Sequence, residues 1–138
     1  MKILIIDGQG GGMGGSVVAE LKAKFPQQDL VAIGTNSIAT SVMLKAGADY
    51  GATGENPVVY NAKDADIIIG PIGIVLANSL LGELTPQMAT AVSGSKAKKM
   101  LIPTGRCNCY VAGTKDLSLS QYLAMIIDQV RPYIDNQL

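Results

Sequence analysis

The sequence predicts an α/β chain of the three-layer αβα, Rossmann-like kind with a mostly parallel sheet, and three observations carry that expectation. Short apolar runs alternate with segments of helical periodicity about ten residues long, which is the pattern of parallel strands joined by crossover helices. A loop in which six of the eight residues from Gly8 to Gly15 are glycine follows the first apolar run directly. The apolar runs are nearly continuous, as strands buried on both faces of a sheet must be.

Taken in order, Lys2 to Ile6 ("KILII") reads as a short buried strand, and Val17, Val18, Leu21 and Phe25 then recur at helical spacing until "FPQQD" stops the helix. Leu30 to Gly34 is a second strand, and a helix runs through "SIATSVMLKAGA" with Gly47 placed to cap its C-terminus. Residues 48–64 give the weakest pattern, with at most a strand near Tyr50 and one helical turn near Tyr60. Ala65 to Pro71 is a buried strand, after which "IGIVLANSLLGEL" is apolar on several faces and is expected to be covered, by the core or by a second subunit. Thr85 fits an N-cap with Pro86 at the first helical position. "MLIP" is another strand, "CYVAG" a candidate for one more, and Ser118 to Ile134 a closing amphipathic helix.

The chain of 138 residues, 48% hydrophobic and 16% charged, suits one domain over residues 1–138. Its 11 basic and 11 acidic side chains cancel, and no basic block interleaves with aromatics, so a nucleic-acid partner is not expected. The N-terminal run flows into glycines and not into a cleavage site, and no apolar stretch is long enough to span a bilayer, so a cytoplasmic protein without a membrane partner is expected. The only cysteines, Cys107 and Cys109, are too close in sequence for a structural disulfide. They read as small residues packed on one face of a strand. Two thiolates with no histidine in the chain do not make a four-ligand zinc site, so no metal is expected.

Ligands of doubly wound sheets sit outside the carboxyl ends of the strands. Four segments fall at that edge, and together they are expected to form one rim. After the first strand come Gly8, Gly10, Gly11, Gly12, Met13, Gly14 and Gly15; after the second come Thr35, Asn36 and Ser37. Gly70, Pro71, Ile72 and Gly73 follow the buried "DIII" strand, and Thr104, Arg106 and Asn108 follow "MLIP".

Gly10, Gly12 and Gly15 fit G-x-G-x-x-G ahead of a helix, where tight turn, close approach of a pyrophosphate and helix packing each need a glycine. The expected ligand is therefore a nucleotide or dinucleotide, with NAD or NADP as the cofactor. Two features strain that reading. Asp7 would repel a pyrophosphate unless it points away, and the second strand ends without the acidic residue that holds an NAD ribose or an arginine for a 2′-phosphate. The loop also compares with a P-loop, but Gly10 and Gly15 occupy both lysine positions, which removes the main electrostatic support for ATP chemistry. A plain connecting turn stays open as well.

Without histidine, the titratable candidates at the rim are Asp7, Arg106, Cys107 and Glu83, and no two of them form a catalytic pair. Whether the chain is an enzyme is open; an NAD(P)-dependent oxidoreductase leads if it is. The competing class is a non-catalytic sensor of a small phosphorylated metabolite, and a homodimer is expected. Lys96, Lys98 and Lys99 are placed ahead of "MLIP", at the edge opposite the site, where they complement a helix C-terminus.

The combination of "IIDGQGGGMG", "DADIIIGPIGIVLANSLLGE", the following "TP" and "MA", and "SKAKKMLIP" resembles a family of short bacterial proteins known as domain of unknown function 3842. That resemblance implies a Rossmann-like domain and brings no catalytic residues. The first βαβ portion is also similar to the cofactor domain of 6-phosphogluconate- and prephenate-dehydrogenase-type enzymes, through the glycine loop and "ADIIIGP", and departs from it at Thr35 to Ser37.

Overall fold

The structure is a computed structural model that describes residues 1–137, apart from the side chain of Arg106. Five strands, β1 (Ile3–Asp7), β2 (Leu30–Gly34), β3 (Tyr50–Thr53), β4 (Ile67–Pro71) and β5 (Lys98–Ile102), form one sheet in the order β3-β2-β1-β4-β5. Every neighbouring pair is parallel, in the register Ile3 opposite Leu30 and Ile67, and Ile67 opposite Lys98. Parallel pairing requires crossovers, and four helices supply them, α1 (Gly12–Lys24), α2 (Ser37–Lys45), α3 (Glu55–Ala62) and α4 (Pro86–Ser93), while α5 (Leu119–Asp135) follows the last strand.

Both faces of the central strands are buried, which explains why "ILII" does not alternate with polar residues. Ile3 and Ile5 point to a core shared with Val17, Val18 and Leu21 of α1, Met43 of α2 and Ile127 and Val130 of α5. Leu4 and Ile6 point the other way, against Val58 and Ala62 of α3 and Met88 and Val92 of α4. Each fully buried Val, Leu or Ile among them contributes about 1.5–3 kcal/mol. The three-layer αβα arrangement follows: α1, α2 and α5 on one face, α3 and α4 on the other.

Helix ends follow the local chemistry. The Thr85 hydroxyl accepts the Met88 N–H at 3.1 Å, with Pro86 at the first helical position of α4. Ser118 and Gln121 cap α5 reciprocally. Gly47, with φ of +120°, follows the C-cap of α2 as expected. Where the sequence pattern is weak, the structure is richer: β3 is a four-residue edge strand, and α3 has eight residues instead of one turn.

Three expectations are corrected. "CYVAG" forms no strand, because a further strand would need apolar faces to bury and Tyr110 and Val111 are exposed. Cys107 therefore lies half-buried in a short 3-10 turn and Cys109 on the surface. Lys98 and Lys99 belong to β5 itself, although Lys99 Nζ still donates to the Ser95 carbonyl just past α4 at 2.6 Å. Among the described residues, no helix is long and apolar enough to cross a membrane.

Candidate functional site

The chain leaves β1 for α1 and returns to β4 on the opposite side, so the carboxyl ends of β1 and β4 flank the switch point where a crevice must open. A cavity of about 380 Å³ lies there, lined by Asp7 to Met13 together with Pro71, Leu80, Thr104 and Leu119.

The glycines of the loop divide by what surrounds them. A methyl group on Gly8 would come within 2.8 Å of Leu80 Cδ1 and 3.0 Å of Glu83 Oε1. On Gly11, which has φ of +71°, it would strike the Ala39 backbone at 2.7 Å, and on Gly15 it would meet Val42 at 2.9 Å. Gly14 lies 2.7 Å from both Asp7 Cβ and Met43 Sδ by the same measure. Gly11, Gly14 and Gly15 let α1 pack against β1 and α2, and Gly8 lets Leu80 and Glu83 close over the loop. Gly10 and Gly12 have no atom within 4 Å and border the cavity.

Asp7 resolves the repulsion its position raised. It is 5% exposed, and its two oxygens accept the Gly8 N–H at 2.8 Å and the Gly14 N–H at 2.6 Å. It thus braces the first turn of α1 from below, taking one of the helix's orphan donors. Burial raises its pKa above the ordinary aspartate value, the two N–H bonds oppose that, and the charge of Glu83 adds to the rise. Gly11 N–H is bonded to the Gly8 carbonyl and Gly15 N–H to the Gly11 carbonyl. Among the described residues, no protein acceptor meets the N–H groups of Gly12 and Met13, at the positive end of the α1 dipole.

The expected continuous rim is not what forms. Thr35 and Asn36 turn instead to Glu83, whose Oε1 accepts from Thr35 Oγ1 at 2.6 Å, Asn36 Nδ2 at 2.8 Å and Gln9 N–H at 2.9 Å. Asn36 also caps α2 through Ala39 N–H and donates to the Gln9 carbonyl, which fixes Gln9 at φ of +49°. Burial disfavours the charged Glu83, but the bonds from Thr35, Gln9 and Asn36 together hold its pKa below the ordinary glutamate value.

Ser37 faces outward on α2, away from the cavity. From the β4 segment only Pro71 lines it. Gly70 is enclosed by the Ile6 carbonyl and Ile74, Gly73 by Cys107 and Ser79, and Ile72 starts the 3-10 turn of residues 72–75. From the β5 segment Thr104 lines it and Asn108, at φ of +47°, does not, while the Arg106 side chain lies outside the described residues.

The segment Ile72 to Leu84 has three roles: Ile74 and Leu84 enter the core, Leu80 walls the cavity, and Leu81 is 95% exposed. Leu80 and Leu119 escape sequence reasoning because neither carries a loop-chemistry signal. No cluster of three or more potential metal ligands occurs among the described residues.

Comparison with known proteins fits this architecture. The family described as Domain of unknown function (DUF3842) matches residues 2–135, and the chain belongs to that family. A search of curated proteins finds no match. Among solved structures, the chain is similar to a dodecameric FMN-dependent Ubix-like decarboxylase from Escherichia coli O157:H7, with 14% identity, 94% of each chain covered and a TM-score of 0.55. At that identity the likeness is one of fold, and it agrees with the Rossmann-like α/β reading.

Proposed function

We propose that this DUF3842 protein binds a small phosphorylated ligand of the nucleotide class, with a phosphate group seated on the Gly12 and Met13 N–H groups at the start of α1. One observation carries the reading: Gly10 and Gly12 alone in the loop have no packing reason to be glycine, and both border the cavity at the switch point. A phosphate there meets bare backbone, unpaired donors and the helix dipole at once. Asp7 does not oppose it strongly, because both its oxygens are turned to the Gly8 and Gly14 N–H groups. The remaining walls, Pro71, Leu80, Thr104 and Leu119, offer the mostly apolar surface that takes a sugar or base. The fold neighbour's dependence on FMN, a mononucleotide, puts that compound among the first probes.

The reading is one of binding. The two carboxylates near the loop are tied into hydrogen bonds that shape it, which favours a sensor or carrier over acid–base chemistry. The test is a thermal-shift series with AMP, ADP, FMN, NAD, NADP, ribose 5-phosphate and inorganic phosphate on the wild type and Gly12→Val. A ligand at a hundred times its dissociation constant adds about 2.7 kcal/mol of stability. A shift with a phosphate-bearing ligand that is lost in Gly12→Val is the expected result; no shift with any of them overturns the proposal.

A further inference from the structure

We infer that Glu83 closes the β2 side of the site, so that the ligand is a single phosphorylated unit, a mononucleotide or sugar phosphate, and not a dinucleotide. The inference rests on the proposed phosphate seat at the loop and concerns what extends from it.

A dinucleotide lies across the switch point, one nucleotide unit on each side, and the unit over the end of β2 is held there through its ribose hydroxyls. Apart from Ser37, which faces outward on α2, the donors at that end of this chain are the Thr35 hydroxyl, the Asn36 amide and the Gln9 N–H. All three converge on one oxygen, Glu83 Oε1, at 2.6, 2.8 and 2.9 Å. The chain's own carboxylate thus stands where a ribose would be recognised. Space is taken as well as donors: Leu80 and Glu83 cover Gly8 so closely that even a methyl group there would lie 2.8 Å from Leu80 and 3.0 Å from Glu83. What is left open is the cavity of about 380 Å³ on the β4 side, towards the lower end of the range for small-molecule sites.

The segment that delivers these two side chains is built for the purpose at some cost. Leu80 and Leu81 stand at φ of +56° and +57°, a left-handed conformation that bulky side chains rarely adopt. Leu81 gains no packing in return, being 95% exposed. The turn is secured by Gly82 N–H on the Asn78 carbonyl at 3.1 Å and, at its end, by the Glu83 bonds across to the glycine loop and β2. Strain of this kind persists where the surroundings over-determine it, and here they fix Leu80 and Glu83 over Gly8.

The experiment is titration calorimetry of AMP, ribose 5-phosphate and NAD against the wild type, Glu83→Ala and Glu83→Gln, with circular dichroism of each to establish folding. Glu83→Gln keeps the size of the side chain and so guards against a folding defect in the alanine variant. The wild type is expected to bind AMP or ribose 5-phosphate at least tenfold more tightly than NAD. Glu83→Ala is expected to narrow that ratio at least tenfold, and Glu83→Gln to narrow it less. Wild-type affinity for NAD equal to that for AMP overturns the inference and leaves the phosphate seat intact, as does a preference that neither variant alters. Failure of every phosphate-bearing ligand to bind overturns the phosphate seat, and the inference with it.

Discussion

Substituting alanine at Gly12 and at Gly14, two residues apart in the first turn of α1, separates the glycine that packing demands from the glycine that it does not. At Gly14 the new methyl group would lie 2.7 Å from Asp7 Cβ, 2.7 Å from Met43 Sδ and 3.1 Å from Asp7 Oδ2. Met43 is fully buried, and Asp7 Cβ moves only with β1, so neither neighbour yields freely. Overpacking of that kind costs about 1–3 kcal/mol, and weakening the Asp7 bond to the Gly14 N–H forfeits part of a charged hydrogen bond worth about 1.5–3 kcal/mol. Alanine's helix preference returns about 1 kcal/mol. The net expectation for Gly14→Ala is a loss of about 1–4 kcal/mol. At Gly12 the methyl group meets nothing within 4 Å and the backbone is helical, so the smaller entropy of the unfolded chain prevails and the variant gains about 0.4–1 kcal/mol. With an unfolding entropy of about 2.1 cal/mol/K per residue, 1 kcal/mol moves the Tm of a chain this size by roughly 3–4 °C. Urea denaturation and a melting curve on the ligand-free proteins measure both. A Gly14→Ala protein as stable as the wild type, or a Gly12→Ala protein destabilised by more than about 1 kcal/mol, would refute the division of the loop.

Three further outcomes follow from the same geometry. The pKa of Asp7 is raised in the folded state, so its contribution to stability is full below its ordinary unfolded pKa and is lost as pH rises through the folded one. Asp7→Asn leaves one of the Gly8 and Gly14 N–H groups facing an amide N–H₂, so the variant is less stable than the wild type. Urea midpoints taken between about pH 4 and about pH 7 are expected to show that gap narrowing as pH rises, and a gap that widens refutes the burial argument. Glu83 titrates in the opposite sense, its contribution being present above its ordinary pKa and lost as pH falls below it. Leu81→Gly removes a left-handed penalty of about 1–2 kcal/mol against a glycine entropy cost of about 0.5–1 kcal/mol, so it is expected to stabilise by about 0.5–1 kcal/mol in urea. A loss instead refutes the assignment of strain to Leu81, which is 95% exposed.

The sheet was legible because its signals are local. Residues Ile3 to Ile6, Leu30 to Ile33 and Ile67 to Ile69 are apolar without alternation, and only strands covered on both faces need that. The Thr85 cap was legible for the same reason, since a hydroxyl three residues ahead of its N–H partner is a property of a few consecutive residues. β3 and α3 were faint because an edge strand and a short helix bury little: Tyr50 and Gly51 are exposed, and only Val58 and Ala62 of α3 are buried. Sequence spacing carries no trace of the contact between Glu83 and Gln9, which are 74 residues apart and meet only because β4 returns beside β1.

That long-range contact changes what the absence of an acid at the end of β2 means. From the sequence, Thr35, Asn36 and Ser37 read as a dinucleotide site lacking its carboxylate. In the fold the carboxylate is present, but it arrives from the Ile72 to Leu84 segment and takes the donors of Thr35 and Asn36 for itself. The loop glycines divide along the same line. Gly8 is a glycine because Leu80 and Glu83 press on it, whereas Gly10 and Gly12 face an opening. A glycine-rich loop after the first strand is therefore two devices in one stretch: its β2-facing side is sealed by the protein, and its β4-facing side presents the donors of α1. The pattern G-x-G-x-x-G takes Gly10 and Gly12 from the open side and Gly15 from the face of α1 that packs on Val42. The affinity ratio between AMP and NAD, and its dependence on Glu83, distinguishes one side in use from two.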